Sequence, residues 1–300
     1  MENLYNIIYN NKKKKGEYVR IYTDIIKTMN NRPIGIFDSG IGGLTVLNEI
    51  RKKLPCEDII YIGDTKNFPY GDKSKEDIIK FAIKNVERLI EKNVKIIVIA
   101  CGTATSQAID VLKKIFNIPI IGIIEPTVEY VKEHKYNKIG VIATEGTIRS
   151  GVWEQKLKEK ICNIEVINKA CPMLAKIAEE GRAQSKEGRE VIKQYMLPLK
   201  KNNIDKIILG CTHFPVYEKI IKEEMGYEVE LINTGKIVSE FLEKYIKQNE
   251  LQKEKTENIH TELIKNKCGI ENIYLTKYEE NFEKVAETIL DNKQFFISII

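Results

Sequence analysis

Two cysteines in this 300-residue chain share one local context. Cys101 closes the apolar run Ile96-Ile97-Val98-Ile99-Ala100, and Cys211 closes Ile207-Ile208-Leu209-Gly210. Small hydroxyl residues trail both, with Thr103, Thr105 and Ser106 after one and Thr212 after the other. Alone, either would read as a free cysteine acting as a small buried hydrophobe. Paired, they suit proton transfer at one carbon from opposite faces. One thiolate takes the proton, the other thiol delivers one, and the roles exchange in reverse. Inverting a centre next to a carboxylate builds carbanion charge, which preorganised N–H donors at strand-to-helix turns can stabilise. His213 is placed to adjust the proton of Cys211. Asp38, at the end of an earlier apolar run, is placed to do the same for Cys101. A carboxylate also opposes a neighbouring thiolate, so Asp38 is expected to be protonated or offset when Cys101 ionises.

The remaining cysteines, Cys56, Cys162, Cys171 and Cys268, lack this context and read as structural. There is no C-x-x-C pair, and no apolar leader core precedes the lysines at 12–15, so a reducing cytoplasm with free thiols is expected. Gly40-Ile41-Gly42-Gly43 is not a dinucleotide fingerprint, because Thr45 falls where the third glycine belongs. Cys211 and His213 have no second ligand pair at zinc spacing. Neither cofactor nor metal is expected.

Alternating strands and helices must position these residues. Strands are expected at Ile34–Phe37, Asp58–Ile62, Ile96–Ala100 and Pro119–Ile124, with helices at Leu44–Lys53, from Ser74 (as N-cap, with Asp77 as partner) to about Lys92, and at Ser106–Phe116. The rhythm then restarts. Strands at Ile139–Ala143, Glu165–Asn168, Ile207–Gly210 and Glu228–Ile232 alternate with helices at Gly151–Lys160, Met173–Gly181, Lys186–Lys201 and Pro215–Glu224. A helix at Lys236–Lys247, a polar stretch, a strand at Ile273–Thr276 and a helix at Asn281–Leu290 finish the chain. Such a βαβ rhythm predicts parallel sheets flanked by helices.

The two stretches also repeat in detail. Ile34-Gly35-Ile36-Phe37 is echoed by Ile139-Gly140-Val141-Ile142, and the runs before Cys101 and Cys211 echo each other at similar spacing. Duplicated α/β domains related by a pseudo-two-fold axis follow, with the site between them at the carboxyl ends of strands. The expected division is an extension over 1–31, a first domain over 32–126 plus 234–291, and a second over 127–233. The extension is basic, with seven Lys or Arg against three acids in residues 1–32. It reads as a solvated tail that requires no nucleic acid, and no apolar run is long enough for a membrane helix.

Several motifs together carry a resemblance. Ile34-Gly35-Ile36-Phe37-Asp38-Ser39-Gly40-Ile41-Gly42-Gly43-Leu44-Thr45-Val46, Gly63-Asp64-Thr65 with Pro69-Tyr70-Gly71, Ala100-Cys101-Gly102-Thr103-Ala104-Thr105, and Gly210-Cys211-Thr212-His213-Phe214-Pro215 resemble the glutamate racemases, in order, from about Pro33 to Leu290. The resemblance implies a cytoplasmic, cofactor-independent isomerase, often a homodimer, whose D-glutamate feeds bacterial peptidoglycan synthesis. It implies that Cys101 takes the α-proton of D-glutamate and Cys211 that of L-glutamate, that Asp38 and His213 assist, and that Glu179 orients His213. It also implies that Asp38, Ser39, Tyr70, Gly71, Gly102, Thr103, Thr212 and His213 hold the substrate. One position departs: the family usually has Asn where this chain has Gly102. Water, Thr105 or Ser106 is expected to fill the gap. The alternatives are a relative of the same superfamily (an aspartate racemase, or a racemase or decarboxylase acting on another α-carbon) and a non-catalytic glutamate-binding or regulatory protein. His213 speaks against the first, and retention of both cysteines, Asp38 and His213 against the second.

Overall fold

A computed structural model describes residues 30–253, 269–290 and 295–300. Its strands are β1 Ile34–Asp38, β2 Ile59–Gly63, β3 Ile96–Ile99, β4 Ile120–Gly122, β5 Lys138–Ala143, β6 Glu165–Ala170, β7 Lys206–Leu209, β8 Glu230–Asn233, β9 Glu271–Leu275 and β10 Phe296–Ile299. Six of them form one sheet in the order β10-β9-β2-β1-β3-β4, and four form another in the order β6-β5-β7-β8. Every pairing is parallel. The order β2-β1-β3-β4 in one sheet repeats as β6-β5-β7-β8 in the other, so the echo read in the sequence is an echo in topology. β3 and β7, which precede the two cysteines, hold matching places.

The central strands are apolar throughout because both faces are covered, and β1, β2 and β3 are buried along their whole length. The covering helices are α1 Leu44–Lys53, α2 Lys75–Glu91, α3 Gly102–Ile115, α4 Ile124–Glu133, α5 Glu145–Arg149, α6 Val152–Lys160, α7 Pro172–Glu179, α8 Lys186–Lys201, α9 Glu218–Met225, α10 Thr234–Gln248 and α11 Phe282–Ile289. After β8 the chain returns to the six-stranded half, where α10 packs against α1. As expected, Ser74 caps α2 by accepting from the Asp77 N–H at 3.1 Å.

Four elements differ from the sequence expectation. α3 begins at Gly102 rather than Ser106, because Cys101 is its N-cap: the Ala104 N–H reaches Cys101 Sγ at 3.5 Å and the Thr105 N–H reaches the Cys101 carbonyl at 2.9 Å. β4 stops at Gly122, and α4 follows despite Pro126, which sits in the first turn where its missing N–H is not needed. An additional short helix, α5, follows β5, capped by Thr144 Oγ1 on the Thr147 N–H at 3.3 Å. β10 extends the large sheet at its edge, beyond the last element expected.

The expected extension lies outside the described residues up to position 29. Asn30, assigned to it, is tied down. Its carbonyl accepts from Lys95 Nζ at 2.7 Å, and its amide donates to the Glu250 carbonyl at 2.8 Å. Lys95 also donates to Glu57 at 2.5 Å and to the Leu251 carbonyl at 2.7 Å. This buried clamp gathers three segments at the end of the sheet away from the cysteines.

Candidate active site

β3 delivers Cys101 and β7 delivers Cys211 to one small cavity between the two halves. Its walls include Ser39, Tyr70, Gly71, Gly102, Thr103, Thr212 and His213, all expected from the sequence. Asp38 and Glu179 lie behind this wall and act on it through hydrogen bonds. The cavity measures about 10 Å³, which is room for about one water. The halves therefore stand closed on each other, and a ligand as large as an amino acid needs them to part.

The cysteines differ in their surroundings. Cys101 Sγ lies 3.6 Å from Ser39 Oγ and caps α3. Burial, reinforced by the charge of Asp38, pushes its thiol up to about 12, so it is a protonated thiol in the closed cleft. Cys211 Sγ faces His213 Nδ1 at 3.5 Å. The other ring nitrogen, Nε2, meets Glu179 Oε1 at 2.8 Å, so Glu179 on α7 fixes the ring plane. Burial works against an imidazolium at His213, but its hydrogen bonds to Cys211 and Glu179 prevail and hold it well above the ordinary histidine range. A positive charge beside one thiol and a protonated thiol on the other side form an acid and base pair in waiting.

Asp38 ends β1 and is fully buried. Its Oδ1 accepts from the Gly40 N–H at 3.0 Å, and its Oδ2 accepts from Thr212 of the other half at 3.2 Å. Burial dominates and raises its carboxyl to about 6, despite the opposing pull of His213. The like-charge conflict with Cys101 foreseen in the sequence is present, since the charge of Asp38 opposes a Cys101 thiolate, and it is relieved only below about pH 6, where Asp38 takes up its proton.

Further polar contacts cross between the halves. The Ile41 N–H donates to Glu179 Oε1 at 2.7 Å, and Thr45 Oγ1 to the Thr212 carbonyl at 2.8 Å. Thr103 Oγ1 meets Thr144 Oγ1 at 2.8 Å. Tyr70 lines the cavity with its hydroxyl committed to Asp64 at 2.5 Å, where Asn85 joins at 3.2 Å. α3 starts at the cavity wall with Gly102 and Thr103, and the first N–H groups of a helix lack intrahelical partners and suit an anion.

The sequence reading missed Phe68, Pro69, Thr144, Ala175 and Gly210 in the cavity wall. Thr144 had a signal, since in the repeat it is the counterpart of Ser39. Phe68 had none; its ring stands 5.7 Å from that of His213. With Glu179, Phe68 also borders a larger outer cavity of about 560 Å³, lined in part by Lys66, Lys176 and Lys277. The gap expected beside Gly102 is absent. Thr105 and Ser106 are turned to backbone carbonyls, at 3.2 and 3.0 Å, and the carbonyl of Gly210 occupies the space instead.

Residues 45–242 match the Asp/Glu/hydantoin racemase family. A glutamate racemase of Lactococcus lactis subsp. cremoris is 46% identical over 208 residues, covering 69% of this chain and 76% of that protein. Among solved structures, glutamate racemase from Francisella tularensis in complex with D-glutamate superposes with a TM-score of 0.81 at 36% identity, covering 90% of this chain and 98% of that one. A glutamate racemase isoform from Bacillus anthracis gives the same TM-score at 35% identity, covering 90% and 97%.

Proposed function

The chain belongs to the Asp/Glu/hydantoin racemase family and is an amino-acid racemase; on that premise we propose that it interconverts L- and D-glutamate by proton transfer between Cys101 and Cys211, with no cofactor. The observation that carries this reading is the arrival of both cysteines, from matching strands of the two sheets, at one cavity. In the L-to-D direction the Cys211 thiolate takes the α-proton, with His213 as its charged neighbour. The electron pair left on the α-carbon spreads into the adjacent carboxylate, which the N–H groups at the start of α3 can stabilise. The Cys101 thiol then delivers its proton to the opposite face, and Cys101 ends as the thiolate. The reverse reaction exchanges the roles. Ser39, Thr103 and Thr212 supply hydroxyls, and Gly71 backbone, to hold the substrate; Tyr70 acts through its place in the wall.

That the relatives are glutamate racemases supports glutamate as the substrate. The reading carries with it a cytoplasmic homodimer whose D-glutamate is used in peptidoglycan synthesis, and a division into domains at 32–126 plus 234–291 and at 127–233. Among the described residues no helix is long and apolar enough to cross a membrane.

Circular dichroism of L-glutamate with the purified protein tests the reaction. In deuterated water, the D-product should carry α-deuterium, because the incoming proton comes from a thiol in exchange with solvent. Cys101→Ala and Cys211→Ala should each abolish racemisation while keeping the wild-type melting curve. Substantial turnover by either variant would sink the two-thiol reaction.

A further inference from the structure

The two halves meet, backbone against backbone, at two glycines. A Cβ placed on Gly102, in the six-stranded half, would run into the carbonyl oxygen of Gly210 in the four-stranded half. A Cβ placed on Gly146, in the four-stranded half, would lie 2.8 Å from the carbonyl oxygen of Gly71 in the other. Real Cβ atoms do not approach so closely, so something would have to move.

Gly210 cannot be the part that moves. Its N–H is bonded to the Ile142 carbonyl at 2.8 Å, and Trp153 backs it, with Nε1 only 3.1 Å from where a Gly210 Cβ would sit. Trp153 is itself buried. Gly102 is fixed just as firmly. The Ala100 N–H is bonded to the Phe37 carbonyl at 3.0 Å, and α3 starts directly on Cys101. Each backbone is anchored in its own sheet. A side chain at position 102 is therefore relieved by parting the halves, and the same wedge would draw Cys101 and Cys211 away from their common cavity.

We propose that Gly102 and Gly146 are positioning residues that set how far this cleft closes. Gly102 lets the Gly210 carbonyl of the opposing half occupy the space where a side chain would stand. The proposal rests on the racemase reading for its kinetic consequence, but not for its structural one. Both glycines are helical, at the start of α3 and within α5, and neither has a positive φ. Alanine suits such positions as well as glycine or better. A wedge that leaves each half intact is thus expected, not an unfolded protein.

The test is Gly102→Ala and Gly146→Ala in the full chain, with three readouts. Thermal melting should stay within a few degrees of wild type. Alkylation by iodoacetamide, followed peptide by peptide, should accelerate severalfold at Cys101 and Cys211 and stay unchanged at the exposed Cys56 and Cys162. Racemisation should fall chiefly in kcat, by up to about a hundredfold for a displacement on the order of 1 Å, with KM changed far less. The double variant should be no worse than the poorer single one, since one opening serves both wedges. Wild-type labelling in both single variants would overturn the closure role, whatever the kinetics. Wild-type kcat with faster labelling would overturn the positioning role, and a collapse in melting temperature would overturn the claim that the halves part intact. Should the wild-type protein itself fail to racemise glutamate, the racemase reading fails, while the labelling comparison still decides closure.

Discussion

Glu179 Oε1 stands 2.8 Å from His213 Nε2 and accepts the Ile41 N–H of the opposite half at 2.7 Å. One oxygen thus orients the imidazole beside Cys211 and latches the two halves together. Glu179 is a positioning residue, because it reaches the thiol only through the ring.

Glu179→Gln keeps the shape and removes the charge. His213 should then titrate lower, since the carboxylate is one of the two groups that hold its proton against burial. The imidazolium is lost as pH rises through its own value, so the alkaline limb of the rate profile should move to lower pH. Enantiomers have equal free energy, so kcat/KM must fall equally in both directions. The asymmetry should appear instead in the isotope effect, which should grow more for α-deuterated L-glutamate than for the D form. Superimposable pH profiles for variant and wild type would count against this role.

Thr144 offers a second test on the other wall. Its hydroxyl bonds Thr103 Oγ1 and Thr147 Oγ1, each at 2.8 Å, and caps α5. Thr144→Val removes the hydroxyl at constant shape. Loss of the cap should lower stability by about 1 kcal/mol. Thr103 Oγ1 then keeps only Thr147 Oγ1, at 3.1 Å, and its looser placement should raise KM by at most roughly twelvefold, the equivalent of one ordinary hydrogen bond. Urea unfolding and steady-state kinetics measure the two effects separately, and an unchanged KM would show that Thr144 does not position Thr103 for substrate.

Lys95 predicts a stability effect without a kinetic one. Its ammonium is buried against Glu57, the Asn30 carbonyl and the Leu251 carbonyl. Lys95→Met leaves the Glu57 carboxylate without its cation and should cost about 3–5 kcal/mol. Adding Glu57→Gln should recover part of that loss. The clamp also bears on the extension expected over residues 1–31. A chain starting at Asn30 keeps an acceptor that a chain starting at Arg32 lacks, and the shorter one should melt lower. Equal melting temperatures would show that the Asn30 carbonyl contributes nothing.

What the sequence revealed follows from what each signal encodes. β3 and β7 were legible because strands buried on both faces must be apolar throughout, and the cysteines were legible because the duplication sets them at matching ends. α4 was hidden by Pro126, whose compatibility with a first turn depends on where the helix starts. The role of Gly102 was illegible for a different reason. A missing side chain shows in the sequence, but the Gly210 carbonyl that takes its place comes from a strand more than a hundred residues away. Likewise, nothing local marks Phe68 as the neighbour of His213.

Asp38 supplies a pH test whose sign is fixed by its burial. Its carboxyl is raised from 3.8 to about 6, so the folded protein holds this proton more tightly than the unfolded chain does. Stability from this group is therefore fully present below about pH 3.8 and is lost as pH rises through about 6. Other carboxylates impose slopes of their own, so the measurement is a difference. Asp38→Asn keeps an oxygen for the Gly40 N–H, sets an amide NH2 against Thr212 Oγ1, which must then accept instead of donate, and carries no titrating proton. Relative to wild type, the variant should gain stability progressively between pH 4 and pH 6, with the gain levelling off above that. Urea titrations of both proteins at several pH values provide the curve. A flat difference across this window would mean that Asp38 titrates as an ordinary carboxylate.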